Sequence, residues 1–310
     1  MARNRSARSG RPRRRIYPAR IYNAGACSTR EDYPRVVNET SKQSLGQQLS
    51  FLRKREELRR HESGELPANR KFSREKAAGE AHITASYLTK VERDEVGQVD
   101  VGILRVLATT YHASEDEWRY ICDLAGYASP YPSITGIGPA LEIPEFDAFE
   151  AAITPIMRAE MDESTDDLVS FYAPQRRLIA ANRAYYDTFP THRPGMYMLE
   201  WSFTAEAREI MVNWDTGVGL GVATHRGFMG RYGHTAWAKD YHDRLERHAE
   251  FRELWDAGAV TYTLPLDMQS RLRVRDGLYA LVMENWQMQH ELPIVRSRGR
   301  LSRSSGPADA

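Results

Sequence analysis

Residues 72–93 read FSREKAAGEAHITASYLTKVER, and this stretch decides the fold of the N-terminal half of the chain. Ser73 and Thr84 each precede a run of helix-forming residues, and side-chain oxygens at such positions accept hydrogen bonds from the first helical turn. Ala77 is small enough for a close helix crossing, and Leu88 gives the second helix an apolar face. The spacing predicts two short helices joined by a tight turn, typical of a helix-turn-helix.

Three more helices are predicted around this pair, over residues 44–60, 101–111 and 114–126. Ser114 and Glu117 form a capping box, in which the two side chains satisfy backbone N–H groups at the start of a helix. Five short helices indicate a compact all-α domain. The residues predicted to face its interior from the first and fourth helices are Leu45, Leu49, Leu52, Leu58, Leu104, Leu107 and Ala108.

Composition divides the chain into five parts. Residues 1–43 hold eleven Lys/Arg against three Asp/Glu and no apolar period, which predicts a disordered basic arm. Residues 44–127 are the all-α domain, called the head. Residues 128–144 hold four Pro and two Gly, which is typical of a linker. Residues 145–296 form an acidic second domain, called the body, and residues 297–310 are predicted to be a disordered tail.

The arm has more than one interpretation. Seven Arg in its first fifteen residues could follow DNA phosphates and add salt-sensitive affinity that is blind to sequence. It could equally be a solubilising leader, or an extension upstream of the true start. The sequence does not decide between these interpretations.

The body mixes helices and strands, and helices that precede a late set of strands indicate an α+β domain. Its glycine-rich segment GVGLG, residues 217–221, lacks the preceding strand and the glycine spacing of nucleotide-binding loops, so we expect a softened helix beside a pocket. The predicted helices cover 146–161, 182–189, 204–214 and 241–255, and the predicted strands cover 167–172, 178–181, 260–264, 269–274 and 279–288.

Two family resemblances follow from these segments. The order SLGQQLSFLRKREEL, FSREKAAGEAHITASYLTKVER, VGILRVLATTYHASEDEW and CDLAGY resembles the Xre-type helix-turn-helix domain, a lambda-repressor-like fold. Arg74, Ala77 and His82 depart from that family's pattern, which usually has Gln, Leu and Gly at these positions. The pieces LIAANRAYYDTF, WSFTAEAREIMVNWD and EFRELWDAGAVTY resemble the PAS-like ligand-binding domain of MmyB-like regulators. The resemblance implies a transcription regulator that senses an apolar small molecule, such as a fatty acid.

The start of the second helix of the pair carries the candidate DNA-binding residues, because side chains there reach base edges in the major groove. Hydroxyl and amine groups can contact bases or phosphates, and a methyl group can touch a thymine methyl. For any single residue, a solvated helix face is an equally good interpretation. Glu92 is expected to pair with Arg53 or Arg55 instead of contacting DNA. The candidates are Arg74, Thr84, Ala85, Ser86, Tyr87, Thr89 and Lys90.

Aromatic residues are dense in the body, and some are expected to line a ligand pocket. Ordinary core packing is the better interpretation for any one of them. The candidates for pocket walls are Phe171, Tyr185, Trp201, Phe203, Trp214, Phe228, Phe251 and Trp255.

Other kinds of site find little support in the sequence. The histidines show no metal-ligand spacing, and no Ser-His-Asp set or nucleophile elbow is present. Cys27 and Cys122 are far apart, as in reduced cytosolic proteins. No apolar run approaches the length of a membrane span. We therefore expect neither catalysis nor a metal, a cofactor or a membrane partner.

The sequence thus predicts a cytoplasmic, nucleoid-associated regulator whose partners are a double-stranded DNA operator, a small apolar ligand and a second copy of itself. One alternative is an enzyme or small-molecule-binding protein whose helical head binds other proteins. Another is a structural nucleoid protein that acts through its basic arm.

Overall fold

The structure is a computed structural model that describes residues 43–127, 143–262, 270–274, 277–288 and 292–304. The arm, up to residue 42, and most of the expected linker, 128–142, lie outside the described residues. The head contains α1 (Leu45–Glu62), α2 (Arg74–Glu80), α3 (Ala85–Glu92), α4 (Val101–Thr110) and α5 (Glu115–Leu124).

Three helices of the head, α2, α3 and α5, begin directly after a residue whose side chain caps the first helical turn. Ser73 and Thr84 accept hydrogen bonds from the first turns of α2 and α3, and the capping box of Ser114 and Glu117 is confirmed. His82 has φ +56° in the turn between α2 and α3, a left-handed conformation that His adopts more readily than most non-glycine residues. One core joins all five helices through Leu49, Leu52, Phe72, Leu88, Leu104, Leu107, Tyr111 and Ile121.

The prediction that Leu58 faces the interior is wrong, since its side chain is 63% exposed. Six residues rotate an α-helix by about 240° relative to Leu52, which turns Leu58 towards solvent. The inner position is taken by Glu56, which is 1% exposed and bonded to Arg59 and Arg60 at 2.8 and 2.6 Å. Burial alone would raise the pKa of Glu56, but hydrogen bonds from the two arginines lower it to about 2.

The body is an α+β arrangement around a five-stranded antiparallel sheet with strand order β2-β1-β5-β4-β3. The strands are β1 (Leu168–Tyr172), β2 (Leu178–Ala181), β3 (Ser270–Val274), β4 (Gly277–Met288) and β5 (Ile294–Arg303). The helices are α6 (Phe146–Ala152), α7 (Pro155–Glu163), α8 (Arg183–Thr188), α9 (Met198–Trp201), α10 (Ala205–Ile210), α11 (Trp214–Tyr232), α12 (Ala236–Leu245) and α13 (Ala249–Asp256).

Two predicted helices of the body are each split in two. Thr154 caps a new helix that begins at Pro155, because proline favours a first helical turn and cannot continue a preceding helix. His248 has an extended backbone between α12 and α13, and its ring stacks on Phe203. The sequence predicts a single helix in each place because the two helices on either side of a break face the same core. The spacing of apolar residues therefore continues across the break. The helix predicted over 204–214 ends at Ile210.

The expected tail begins instead with part of β5, which lies between β1 and β4. Arg298 and Arg300 both pair with Asp167, so these two basic residues of the strand share one acidic partner. The predicted strand over 260–264 is not formed at residues 260–262, and 263–269 lie outside the described residues. The segment GVGLG is helical, as expected, and lies within α11.

The head and the body pack directly against each other through α5 and α11. A Cβ atom built on Gly230 would lie 2.5 Å from the ring of Tyr120, so only the absence of a side chain allows this approach. Two hydrogen bonds cross the same interface. Tyr262 donates to Asp123 at 2.7 Å, and Thr261 donates to Asp116 at 2.8 Å.

Candidate functional site

The outer face of α3 is the first candidate site. Ser86 and Lys90 are exposed one turn apart, whereas Leu88 is fully buried on the inner side. Thr84 is exposed, and its hydroxyl accepts the Tyr87 N–H at 3.1 Å. The hydroxyl of Thr89 donates to the carbonyl of Ala85 at 2.8 Å, and residues 85, 87 and 89 are half-buried. The hydroxyl of Ser86 and the amine of Lys90 are therefore the most available groups of this helix.

Arg74 is held by a buried carboxylate. Glu92 accepts hydrogen bonds from Arg53 at 2.7 Å and from Arg74 at 2.6 Å, which ties α1, α2 and α3 together. The expected partnership of Glu92 with an arginine of α1 is confirmed by Arg53, while Arg55 pairs with Glu117. Arg74 thus has a structural partner, and its side chain is 40% exposed beside the start of α2.

The second candidate site is an open cleft of about 510 Å³ in the body. Met196, Tyr197 and Trp201 give it apolar walls. Arg244 is paired with Glu200 at 2.9 Å, whereas Arg177 donates to the carbonyl of Gly195 at 3.0 Å and stacks on Phe146 at 4.0 Å. The residues that line the cleft are Arg177, Pro194, Gly195, Met196, Tyr197, Glu200, Trp201, Thr204, Arg244 and His248.

Of the eight aromatic residues predicted to line a pocket, Trp201 lines this cleft. Phe203, Phe228 and Phe251 belong instead to a buried core, against which Trp214 and Trp255 also pack. Tyr185 shares a second core with Trp201, and Phe171 lies in a third beneath α6 and α7. Sequence reasoning missed Arg177, Tyr197 and Arg244, because their neighbourhood depends on the packing of the β1–β2 turn against α9 and α12.

Two buried histidine sites are also not predicted from the sequence. His225 Nε2 lies 3.2 Å from His242 Nδ1, between α11 and α12 and among aromatic rings. His192 Nδ1 lies 2.7 Å from the hydroxyl of Tyr185, which in turn lies 3.0 Å from the hydroxyl of Tyr172. Burial lowers the pKa of His192 to about 3 and lowers that of His225 well below its usual value, so both rings are neutral at pH 7.

The stability of the protein is expected to fall as the pH drops below about 6.5, because His192 stays neutral when folded but protonates in the unfolded chain. Between pH 6.5 and about 3, this one group lowers the free energy of unfolding by about 1.4 kcal/mol for each pH unit. His192→Gln should flatten that slope in urea unfolding at pH 7, 6 and 5. His225 remains in the variant, so the difference from wild type isolates His192, and an unchanged slope would contradict the assignment.

Comparison with known proteins finds one family that part of the body resembles. Residues 169–291 match the family model of the MmyB-like transcription regulator ligand binding domain. This range includes all of β1 except Leu168, together with the cleft, both buried histidine sites and β4. No curated protein matches the chain. Among the residues that the structure describes, no helix has the length and apolar character needed to cross a membrane.

Proposed function

We propose that this chain is a cytoplasmic, ligand-responsive transcription regulator that binds a double-stranded DNA operator as a homodimer and is not an enzyme. The observation that carries the proposal is the family match over residues 169–291, C-terminal to a five-helix head with an exposed helix face. A regulator's ligand-binding domain needs a DNA-binding element to act on transcription. The capped pair α2 and α3 is the best candidate, since Ser86 and Lys90 point outward.

Replacing both Ser86 and Lys90 with Ala is expected to weaken operator binding by about tenfold or more. A lost base contact costs about 1–3 kcal/mol, and a lost phosphate contact weakens binding to all sequences. The measurement is a gel shift of the full chain on DNA from upstream of its own coding sequence, at about 150 mM salt with competitor DNA.

Lys239→Ala is the matched control, because it removes the same charge from helix α12 of the body. Unchanged affinity in the Ser86 and Lys90 double variant would remove α3 as the reading helix. Binding that disappears only when residues 1–43 are deleted, without sequence preference, would instead favour a nucleoid protein acting through its arm.

The cleft is the proposed ligand site, and its chemistry suits an apolar molecule with an acidic group, such as a fatty acid. Met196 and Trp201 offer apolar surface, and Arg177 donates one hydrogen bond, from Nε, to the backbone carbonyl of Gly195. A guanidinium held by stacking presents its remaining N–H groups to a carboxylate.

Mass spectrometry of small molecules extracted from the purified full chain tests this site. We expect an acidic amphiphile in the wild type and at least about a tenfold lower content in Arg177→Gln, because a charge-assisted hydrogen bond is lost. Arg183→Ala is the control, since Arg183 is 93% exposed on α8. Equal content in both variants would contradict the site. A ligand that is turned over while DNA is not bound would favour an enzyme with a protein-binding head.

A further inference from the structure

A continuous line of packed rings leads from the wall of the cleft to the head. Tyr197 lines the cleft, and its ring stacks on Tyr241 with centroids 4.3 Å apart. Tyr241 meets His225 edge to face at 4.9 Å, and His225 lies 6.0 Å from Trp255. The guanidinium of Arg226 lies 4.0 Å above the ring of Trp255. Tyr241, His225 and Arg226 are all at most 2% exposed, so each of these side chains is held in place by its neighbours.

The line reaches the head through α11. Arg226 precedes Gly230 by four residues, so both lie on one face of the helix. The ring of Tyr120, from α5 of the head, rests directly against Gly230. Asp123 of α5 accepts a hydrogen bond from Tyr262, whose hydroxyl would lie 3.5 Å from a Cβ atom on Gly230, so a second contact joins α5 to this face of α11. A displacement of α11 must therefore either move α5 or break these contacts.

The other half of α11 is built to move more easily. Gly217, Gly219 and Gly221 fall within its first eight residues, and each glycine weakens a helix by about 1 kcal/mol relative to alanine. A Cβ atom on Gly221 would lie 2.8 Å from the side chain of Leu199, in the helix that forms one edge of the cleft. The helix is thus softened near the cleft and tied down at the head.

We propose that occupancy of the cleft sets the position of the head through Tyr197, Tyr241, His225 and the C-terminal half of α11. The inference rests on the proposed function, of which it names the regulatory route. A ligand that engages Arg177 changes the packing on Tyr197, because the guanidinium lies 5.1 Å from that ring. Coupling between two sites is reciprocal, so a change at the α5 interface must also change the conformational stability of the cleft.

Hydrogen exchange of the full chain without DNA tests the route from the cleft outward. Tyr197→Leu and Tyr186→Leu each remove one aromatic ring of the body, but only Tyr197 belongs to the line, and Tyr186 is not among the residues that line the cleft. We expect exchange in α5 to rise by about fivefold or more in Tyr197→Leu relative to α7, and to stay unchanged in Tyr186→Leu. Equal exchange of α5 in the two variants would overturn the inference.

A second pair of variants tests the coupling in the reverse direction, from the head to the cleft, and it does not depend on whether the first pair of variants folds. Gly230→Ala places a methyl group against Tyr120, whereas Gly219→Ala meets nothing within 4 Å. Gly230→Ala should raise exchange at residues 194–204 by about fivefold or more, and Gly219→Ala should not. An effect confined to the α5 interface would overturn the inference. Since no DNA is present, coupling can persist while operator binding fails, which would refute the proposed function alone.

Discussion

Replacing Glu92 with Ala is expected to destabilise the head by about 3–5 kcal/mol, since removing one partner of a buried ion pair leaves an uncompensated charge. The carboxylate bonds to Arg53 of α1 and Arg74 of α2, so its loss affects three helices together. Leaving Arg53 without its carboxylate partner destabilises the head more than leaving Arg74 without it, because the side chain of Arg53 is 10% exposed while that of Arg74 is 40% exposed. Urea unfolding followed by circular dichroism measures the effect.

Glu95→Ala is the matched control, because Glu95 pairs with Arg93 at 3.8 Å on the surface and should cost less than about 1 kcal/mol. A double variant, Arg53→Met with Glu92→Leu, should recover much of the loss, since an apolar pair needs no compensation. A loss in Glu92→Ala no larger than in Glu95→Ala would contradict the role of this carboxylate.

Replacing Phe251 with Ala is expected to cost about 3–5 kcal/mol of unfolding free energy, as is usual for a large side chain removed from a packed core. Phe251 is fully buried against Phe203, His242 and Trp255. The sequence predicts Phe251 as a pocket wall, whereas the structure places it in a buried core. A pocket residue would lose bound ligand when replaced, and a core residue would lose stability. The structure predicts lost stability, measured by thermal unfolding, with ligand content per folded molecule unchanged.

Trp286→Ala provides the contrast for Phe251. Trp286 is 46% exposed on β4, so its removal should change the free energy of unfolding by less than about 0.5 kcal/mol. A loss of bound ligand in Phe251→Ala without a loss of stability would restore the pocket interpretation.

Local signals in the sequence predicted the local structure of the head well. The caps at Ser73, Thr84 and Ser114 act within one helical turn, so they can be read directly from residue order. The prediction for Leu58 is wrong because it rests on the apolar character of the residue and ignores the angle by which the helix turns between Leu52 and Leu58. The inner position belongs to Glu56, whose burial depends on arginines that periodicity does not reveal.

The body was harder to predict because its features depend on contacts between distant segments. Most of β5 is predicted as a basic tail, since Arg298 and Arg300 alternate with other residues, and their acidic partner is the distant Asp167. Ordinary core packing is predicted for most aromatic residues, but their division among three cores depends on contacts between distant helices and strands. The cleft depends on Arg177, whose position follows from a turn with φ +58° at Arg176.

The central claim, a regulator that reads DNA with its head, is tested most directly by selecting binding sites from a random pool of double-stranded DNA with the full chain at about 150 mM salt. A homodimer that reads DNA through α3 predicts an enriched motif with two related half-sites, about 34 Å apart or a multiple of that distance. Lys90→Ala should bind the selected motif more weakly than Lys239→Ala does. Selection that enriches no sequence, with equal affinity for all DNA, would contradict the claim.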